Sequence, residues 1–242
     1  ALTALQRAST VSFVTTDKIR IANLACEDVV ALGRAPYTNW IGRMQQADRD
    51  IVSRSLSLVG MSSFARKTMD RMSDGECQRI LIARALAQDT PVILLDEPTA
   101  FLDLPNRYEL ASLLRRLAHE EGKCIFFSTH DLDVALGLCD ATALIDTPAL
   151  HCMSAADMAA SGHIERLFDN GTVAFDASTR TLTISGTGSV SDNSGWLQNA
   201  YLIKGVVVEE GITAIGPRIF ELGTFTSVSL PDTLTSLGDG AF

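Results

Sequence analysis

The sequence feature that most constrains the fold is a short run of apolar residues that ends in two adjacent carboxylates. Val92–Leu95 are strand-forming residues, and Asp96 and Glu97 follow directly. This pattern is typical of a buried strand that delivers charge to the carboxyl edge of an α/β sheet, where open sheets bind their ligands. At such an edge one carboxylate can hold Mg²⁺, while its neighbour can orient or deprotonate a water molecule.

The segments around this strand predict alternating helices and strands. Residues 78–88 have apolar side chains at helical spacing behind Ser73, which stands where an N-cap is expected. Strand, helix and strand in succession form a βαβ unit with a parallel sheet, so we expect an α/β fold. The predicted strands are 11–14, 92–95 and 124–127, the predicted helices are 27–33, 47–59, 78–88, 106–120 and 132–138, and 34–40 is predicted as a loop.

The charge distribution excludes some functions and indicates a seam in the chain. The net charge of −9 argues against a nucleic-acid groove or a basic membrane-binding surface. Residues 1–168 contain 17 Lys+Arg and 21 Asp+Glu, whereas residues 169–242 contain 3 and 8. The shorter tail is therefore more acidic per residue. No apolar run reaches the roughly 18–20 residues of a membrane span, and no signal peptide opens the sequence.

The cysteines are odd in number and form no CxxC pair, which argues against a disulfide framework or a zinc site. We expect buried free thiols in a reducing compartment. They are Cys26, Cys77, Cys124, Cys139 and Cys152.

The acidic tail contains a hairpin signal and an internal repeat. Residues 172–175 and 181–184 read as two strands around a polar turn. Residues 206–220 then match residues 228–242 at an offset of 22, with Val, Thr, Gly and Phe at equivalent positions. A fixed short period with equivalent apolar positions predicts a solenoid, in which each unit buries its apolar face against the next.

Three motifs together resemble the second half of an ATP-binding cassette (ABC) ATPase. They are the segment MSDGECQRILIARALAQ at 72–88, the acidic pair in LLDEPT, and STHD at 128–131. The resemblance implies a RecA-like parallel sheet with a helical subdomain at about 24–88, and it implies ATP and Mg²⁺ as cofactors. It also assigns the site residues: Glu97 as catalytic base and His130 as the switch histidine, Asp96 and Thr16 at Mg²⁺, and Ser73, Gly75, Glu76 and Asp103 at the nucleotide.

Some residues depart from the family pattern. Asp74 replaces a glycine of the signature, and its carboxylate would repel a phosphate. Thr16 stands where a glutamine usually contacts Mg²⁺, and Thr has a shorter reach. The phosphate-binding loop GxxxxGK[ST] does not occur in the sequence. We therefore expect an N-terminally truncated cassette that is inactive alone.

Residues 24–58 resemble importers of iron–siderophore, haem and cobalamin complexes, chiefly through Gly33–Thr38 and Asp48 with its following helix. The implied partners are a second cassette subunit in a homodimer and a transmembrane permease that docks on the helical subdomain. No nucleic acid and no direct membrane insertion are expected. The implied location is the cytoplasmic face of the inner membrane, as a peripheral subunit.

The tail resembles the leucine-rich repeats of BspA-like surface proteins. The expected architecture is a partial ABC ATPase domain over residues 1–168, followed by a short β-rich leucine-rich-repeat solenoid segment over 169–242, with the seam within 165–185. Two alternatives stay open. The chain could be a leucine-rich-repeat binding protein at the cell surface with a cassette remnant, or a non-hydrolysing cassette protein that binds partners through its repeats.

Overall fold

The computed structural model describes residues 3–16, 23–38, 43–100, 102–146, 148–167, 172–191, 196, 200, 202–221 and 223–242. The chain divides into two compact units, residues 1–129 and residues 130–242. Positions 39–40 of the predicted loop, Phe101 beside the acidic pair, and 168–171 of the predicted seam lie outside the described residues.

The first unit is built from a parallel sheet and packed helices. The predicted strands are confirmed with their bounds, and the predicted helices are confirmed with shifts of a few residues at their ends. The elements are, in chain order, α1 (Ala4–Ala8), β1 (Val11–Val14), α2 (Cys26–Ala31), α3 (Gln46–Leu58), α4 (Asp74–Ala87), β2 (Val92–Leu95), α5 (Leu104–Glu121) and β3 (Cys124–Phe127), with 3-10 turns at Leu32–Tyr37, Ser62–Phe64 and Met69–Arg71.

The sheet of the first unit has the order β1-β2-β3, and both strand pairs are parallel. Val14 pairs with Leu95, and Leu95 pairs with Phe127, so the three strands end level with one another. The predicted βαβ unit is therefore confirmed. The residues that follow each strand meet at a single edge, which fixes the position of the acidic pair.

Only one face of this sheet is buried. Ile93 and Leu95 pack into the core with α4 and α5, but the side chains alternate along each strand, so Phe13 and Phe126 point to the opposite face. These two rings are 52% and 57% exposed. The apolar run at 124–127 predicts a buried strand, and this is wrong: Cys124 and Phe126 are exposed, and Ile125 and Phe127 are only half-buried. Cys124 on the same face is exposed as well, contrary to the expected buried thiol.

The helical part of the first unit is fastened to α4 by a short glycine–arginine segment. The predicted loop at 34–40 is wrong over 34–37, where the chain forms a 3-10 turn. A Cβ at Gly33 would lie 2.2 Å from the carbonyl oxygen of Arg84, so only glycine allows this approach. The neighbouring Arg34 is buried and pairs with Asp48, with 3.0 Å between Nε and Oδ1. The packing of this segment against α4 explains why it is ordered rather than a loop.

The second unit contains short helices and several small sheets. The predicted helix after His130 is confirmed as α6, and the predicted hairpin is confirmed as the antiparallel pair β6–β7. The elements are α6 (Leu132–Gly137), β4 (Ala141–Asp146), β5 (Ala149–Ser154), α7 (Ala155–Ala160), α8 (His163–Arg166), β6 (Val173–Asp176), β7 (Thr181–Ile184), β8 (Gly188–Val190), β9 (Gly205–Val208), β10 (Ile212–Ile215), β11 (Ser227–Ser229) and β12 (Ser236–Leu237).

Parallel pairs in the second unit follow the 22-residue offset of the sequence repeat. Val206 pairs with Val228 between β9 and β11, and Ile215 pairs with Leu237 between β10 and β12. The sheets have the orders β11-β9-β7-β6 and β12-β10-β8. The two sequence copies therefore lie directly on top of each other.

One hydrophobic core runs through the second unit. Met158 of α7 and Ile164 of α8 belong to the same buried cluster as Leu182, Val206 and Phe220. The segment before the predicted seam thus shares a core with the repeats. The boundary at 168, which was drawn from sequence resemblance, remains a prediction.

Two histidines of this unit differ from expectation. His119, His151 and His163 lie in no motif of the sequence, which predicts surface positions for them, but His151 and His163 are half-buried and stack with 3.7 Å between ring centroids. Cys152 beside them is exposed rather than buried. His119 of the first unit is exposed, as predicted. Within the described parts of the chain, no helix is long and apolar enough to cross a bilayer.

Candidate nucleotide-binding site

The carboxylate of Asp96 is held by hydroxyl groups from the two neighbouring strands. Thr16, just past β1, donates from Oγ1 to Asp96 Oδ2 at 2.6 Å. Ser128, just past β3, donates from Oγ to Asp96 Oδ1 at 2.9 Å. The hydrogen bond from Thr16, followed by the one from Ser128, holds the pKa of Asp96 below its ordinary value. Asp96 is thus an oriented, ionised carboxylate at the sheet edge.

Glu97 occupies a strained backbone position beside this cluster. Its φ is +41°, in the left-handed region that residues with a Cβ seldom adopt. The Glu97 N–H donates to Ser128 Oγ at 2.8 Å, which helps to hold this conformation. Such strain persists where the surrounding structure fixes it, and it is frequent at functional sites. The carboxylate that the sequence assigns as catalytic base is therefore positioned by a defined backbone turn.

Ser128 was missed as a site residue, although the sequence contained the signal for it. It follows β3 in the same way that Asp96 follows β2, and the parallel register places these two positions side by side. Its hydroxyl both donates to Asp96 and accepts from the Glu97 backbone. Polar residues that follow neighbouring parallel strands should therefore be considered together.

The oxygen atoms at this edge fit a magnesium ion. Mg²⁺ prefers oxygen ligands, and proteins usually supply one or two of them while water and phosphate supply the rest. Asp96 and Thr16 present a carboxylate and a hydroxyl that already contact each other. Among the described residues no group of three or more His, Cys, Asp or Glu could enclose a metal by itself. The edge thus suits an ion that is shared with a phosphate, rather than a closed structural site.

The signature segment forms the capped N-terminus of α4. Ser73 is the N-cap, and its Oγ accepts from the Glu76 N–H at 3.3 Å. In return, the Ser73 N–H donates to Glu76 Oε2 at 2.8 Å, which completes a capping box. This backbone donor is the main cause of the lowered pKa of Glu76. The structure therefore places Glu76 as a cap that fixes Ser73.

The signature segment and Asp103 line one concavity. Its volume is about 580 Å³, and its lining includes Ser73, Gly75 and Glu76 at the start of α4 and Asp103 at the start of α5. An ion pair between Arg79 and Glu109 joins α4 to α5 at the same place, with 2.9 Å between Nη2 and Oε1. Residues 30 positions apart in the sequence are thus brought together as a single surface.

Within this concavity Gly75 and Asp103 have distinct local roles. A Cβ on Gly75 would lie 3.5 Å from Leu102 Cδ2, which is an ordinary contact, so the fold does not require glycine here. Asp103 is the N-cap of α5 and accepts from the Asn106 N–H at 3.4 Å. Its side chain is exposed to the concavity. Because the fold does not require glycine at position 75, the missing side chain can instead allow a ligand to approach the backbone closely.

His130 is the first residue of the second compact unit, where it is exposed. It precedes Asp131, which caps α6 by accepting from the Asp133 N–H at 3.0 Å. The predicted site residues therefore fall into three places. Thr16, Asp96 and Glu97 lie at the sheet edge, and Ser73, Gly75, Glu76 and Asp103 lie around the concavity, whereas His130 belongs to the other unit.

Comparison with protein families identifies the class of this fold. Residues 5–100, from α1 to the turn after Glu97, match the family model for ABC transporters. Two solved structures share the fold. One is an inward-facing metal-chelate type ABC transporter, at 28% identity and a TM-score of 0.58 over 61% of this chain and 59% of that one. The other is a dimeric ATP-binding cassette bound to ADP and phosphate. It is 27% identical, with a TM-score of 0.52 over 62% of this chain and 65% of that one. The chain thus carries the ABC ATPase fold.

Three curated relatives of similar sequence are ABC transporter or import ATP-binding proteins. An uncharacterized ABC transporter ATP-binding protein of Methanocaldococcus jannaschii is 44% identical over 57% of this chain and 48% of the relative. The iron(3+)-hydroxamate import ATP-binding protein of Bacillus subtilis is 40% identical over 47% and 42%. A cobalamin import ATP-binding protein of Halobacterium salinarum is 36% identical over 67% and 39%. The chain therefore spans about half the length of the curated relatives it matches. ABC ATPases of this kind are ATP-hydrolysing enzymes.

Proposed function

We propose that this chain is the ATP-binding subunit of an ABC importer for iron–siderophore, haem or cobalamin complexes, and that it couples ATP hydrolysis to transport. The main support is the concavity where Ser73 and Gly75 face Asp103. The substrate class is supported by the names of the relatives, two of which import iron(3+)-hydroxamate and cobalamin.

In this proposal the concavity meets the nucleotide of an opposing cassette. The Ser73 hydroxyl and the backbone at Gly75 contact the phosphates, because an N-terminal helix end with bare amides attracts anions. Glu76 acts through Ser73 by holding the cap. Asp103, which lines the same concavity, contacts the opposing subunit. Asp74 also lines the concavity, but it has no proposed contact with the phosphates, since like charges repel.

The sheet edge carries the hydrolytic residues of a separate nucleotide position, which needs a phosphate-binding loop beside it. Asp96 and Thr16 hold Mg²⁺, which neutralises charge on the phosphates when it is bound. Glu97 accepts a proton from the attacking water, and the strained turn keeps its carboxylate in place. His130 contacts the γ-phosphate and helps to hold the water. The carboxylate, hydroxyl and imidazole groups of these residues can each perform the role proposed for them.

The sequence supports two partners, one through a motif that it lacks and one through its helical part. It has no GxxxxGK[ST] loop, so we propose that the nucleotide reaches the concavity on the loop of a second cassette subunit, and that this sequence alone does not hydrolyse ATP. The permease docks on the helical part within 24–88, which Gly33 and Arg34 fasten to α4. The working location is then the cytoplasmic face of the membrane.

A direct test measures ATP-dependent association with a complete cassette. The partner is the full-length iron(3+)-hydroxamate import ATP-binding protein of Bacillus subtilis, with the glutamate that aligns with Glu97 changed to Gln so that ATP persists. With ATP and Mg²⁺ we expect association at least about tenfold tighter than with ADP, or about 1.4 kcal/mol. Gly75→Ala should abolish the ATP effect, because the added methyl group blocks the phosphate while the fold accepts it.

The matched control is Gly137→Ala at the end of α6, where a Cβ would meet nothing within 4 Å. This variant should retain the ATP effect. An ATP effect that survives Gly75→Ala would contradict the proposed role of the concavity. Micromolar ATP binding by the unpartnered chain, with hydrolysis removed by Glu97→Gln, would contradict the need for a partner.

A second candidate function is a binding module formed by the repeats, of the BspA-like leucine-rich type. The observation that favours it is the parallel pairing of β9 with β11 and of β10 with β12 at a constant offset of 22 residues. A protein of this kind works without nucleotide. It would keep its partner affinity in a Glu97→Gln variant and in the absence of Mg²⁺, which separates it from the importer function.

A further inference from the structure

Two thiols and a thioether lie close together in the core of the first unit. Cys26 is the first residue of α2, Cys77 lies in the first turn of α4, and Met72 directly precedes the N-cap of α4. Cys26 Sγ donates to Met72 Sδ at 3.0 Å, so these two sulfur atoms are in contact. Cys77 Sγ donates to the Met69 carbonyl oxygen at 3.6 Å. We call Cys26, Met72 and Cys77 the sulfur cluster.

Backbone hydrogen bonds hold the segments that carry these sulfur atoms. The Cys26 N–H donates to the Lys67 carbonyl oxygen at 3.0 Å, and the Met69 N–H donates to the Leu24 carbonyl oxygen at 3.2 Å. The 3-10 turn Met69–Arg71 then leads directly into Met72. The start of α2 and the segment before α4 are thus fastened to each other, and this fixes where their sulfur atoms lie.

The sulfur cluster is closed to solvent. Cys26, Met72 and Cys77 are 0%, 4% and 7% exposed. Burial, followed by the negative charge of a Cys77 thiolate, raises the pKa of the Cys26 thiol, while the Lys67 ammonium group lowers it. The two cysteine sulfur atoms therefore lie within electrostatic range of each other. Two thiolates can coexist here only with a cation beside them, because burial disfavours the charged form.

The donor set suits a soft monovalent cation. Thiolate and thioether ligands together select Cu(I), whereas zinc sites are built from Cys, His, Asp and Glu. Among the described residues no group of three of those four types could hold a metal ion, and a thioether is the third donor here. Two thiolates and one Cu(I) leave a charge of minus one, which the ammonium group of Lys67 partly balances.

We propose that the sulfur cluster binds one Cu(I) ion through the thiolates of Cys26 and Cys77 and the thioether of Met72. Three metal–sulfur bonds form, the thiol protons leave to solvent, and no electron is transferred, because the ion enters as Cu(I). Metal–sulfur bonds of about 2.3 Å set the ligands of a trigonal ion about 4 Å apart, so Met72 Sδ moves by about 1 Å from Cys26. The unbranched methionine side chain adapts easily to such a shift.

The proposed ion lies beside the signature segment without depending on nucleotide. Met72 and Cys77 flank the capping box of Ser73 and Glu76 in the chain. The sulfur ligands point into the core, whereas the concavity is lined by Ser73 and Glu76 themselves. Copper binding and nucleotide binding can therefore be measured separately, and the failure of one leaves the other standing.

The test first removes the cysteines outside the sulfur cluster. In the full chain with Cys124, Cys139 and Cys152 changed to Ser, Cu(I) is titrated without oxygen against the coloured chelator bicinchoninate. We expect one equivalent of Cu(I) to bind per chain. X-ray absorption at the copper edge should then show three sulfur neighbours at about 2.3 Å and no nitrogen or oxygen neighbour.

Two substitutions in this background remove ligands from the sulfur cluster. Met72→Leu keeps the apolar volume but removes the thioether, and it should lower the affinity for Cu(I) at least about tenfold. Cys26→Ala should lower it further. The matched control is Met158→Leu, a methionine in the second unit that is also fully buried, and it should bind Cu(I) as the background does. Circular dichroism melts establish that each variant is folded.

Three results would overturn the proposal. Loss of all binding when the three outside cysteines are replaced would mean that copper is only an adventitious ion at those thiols. Nitrogen or oxygen neighbours around the bound copper would place it elsewhere in the chain. An affinity that Met72→Leu leaves unchanged would mean that the thioether is not a ligand and that the sulfur atoms serve packing alone. Because leucine preserves the packing, this last result remains informative even if Cys26→Ala does not fold.

Discussion

Replacing Arg34 with methionine tests whether a buried ion pair fastens the helical part to α4. The side chains of Arg34 and Asp48 are 8% and 10% exposed, and Arg34 Nη1 also donates to the Ala87 carbonyl oxygen at 2.9 Å. Methionine keeps most of the apolar volume but removes the charge and both donors. Asp48 is then left ionised and buried, with the Gln45 N–H as a remaining partner at 3.0 Å.

The expected cost is large because one charge loses its partner inside the fold. Breaking a buried pair by removing one side typically lowers the free energy of unfolding by about 3–5 kcal/mol. An exposed pair provides the comparison. Arg54 lies 2.5 Å from Glu121, but its side chain is 70% exposed, so Arg54→Met should cost at most about 1 kcal/mol. The two substitutions remove the same group and differ in burial.

The cost should depend on pH in a defined direction. The Gln45 backbone N–H, and then the Arg34 side chain, lower the pKa of Asp48 in the folded state. A lowered folded pKa stabilises the fold above the unfolded value of about 3.9, and this contribution is lost as the pH falls through the folded value. The difference between Arg34→Met and wild type should therefore be constant from about pH 5 to pH 8 and shrink below about pH 4.

Urea unfolding followed by far-UV circular dichroism measures this effect. With an m-value of about 1.5–2 kcal/mol per molar, the midpoint of the transition that carries most of the helical signal should fall by about 2 M. Adding Asp48→Asn to Arg34→Met removes the stranded charge and keeps an acceptor for Gln45, so part of the loss should return. A midpoint within about 0.3 M of that of Arg54→Met would refute the reasoning.

Three further predictions concern other parts of the chain. Thr16→Val should raise the pKa of Asp96, because it removes the hydrogen bond that lowers this pKa most, and carbon-13 NMR titration of the carboxyl group measures it. Gly238→Ala should destabilise the second unit by about 2–3 kcal/mol, since its Cβ would lie 2.3 Å from the backbone nitrogen of Pro217. Residues 171–242 expressed alone should be poorly ordered, whereas 130–242 should melt cooperatively, because α7 and α8 complete the core.

Each of these predictions has a clear opposite. An Asp96 pKa that is unmoved by Thr16→Val would mean that the hydroxyl contact is absent in solution. Gly137→Ala is the steric control for Gly238→Ala and should be near neutral, so equal losses in the two variants would argue against a backbone clash. A sharp cooperative melt of residues 171–242 would show that the repeats need no support from α7 and α8.

The sheet edge could be predicted from the sequence because local rules decide it. The strand Val92–Leu95, the residues that follow it, and the parallel order set by the βαβ unit place Asp96 at the carboxyl edge. The hydrogen-bond partners of Asp96 could not be predicted from these local rules, because the contact with Ser128 depends on the level at which two strands end. The capping box at Ser73 was likewise visible as an N-cap signal, because a cap is formed within four residues.

Tertiary packing decided the features that the sequence could not give. The concavity joins Ser73 to Asp103 across α4 and α5, and no pattern within either helix specifies that contact. The 3-10 turn at Leu32–Tyr37 looked like a loop because its stabilising partner, α4, lies about 50 residues away. The exposed faces of Phe13 and Phe126 were missed for a related reason: an apolar run does not say whether one or both faces of a strand are covered.

In the second unit, the boundary between the two family resemblances need not be a boundary between parts that fold independently. Arg180, at the turn of the tail hairpin, is 6% exposed and lies 3.3 Å from Asp131, the residue that follows His130. Lys204 pairs in the same way with Asp133 of α6. Unfolding of the hairpin would remove the cationic partners of Asp131 and Asp133, whose side chains are 13% and 35% exposed, so the cost would be smaller than for a fully buried pair. The segment after His130 and the hairpin of the tail therefore stabilise each other, although the sequence assigns them to different families.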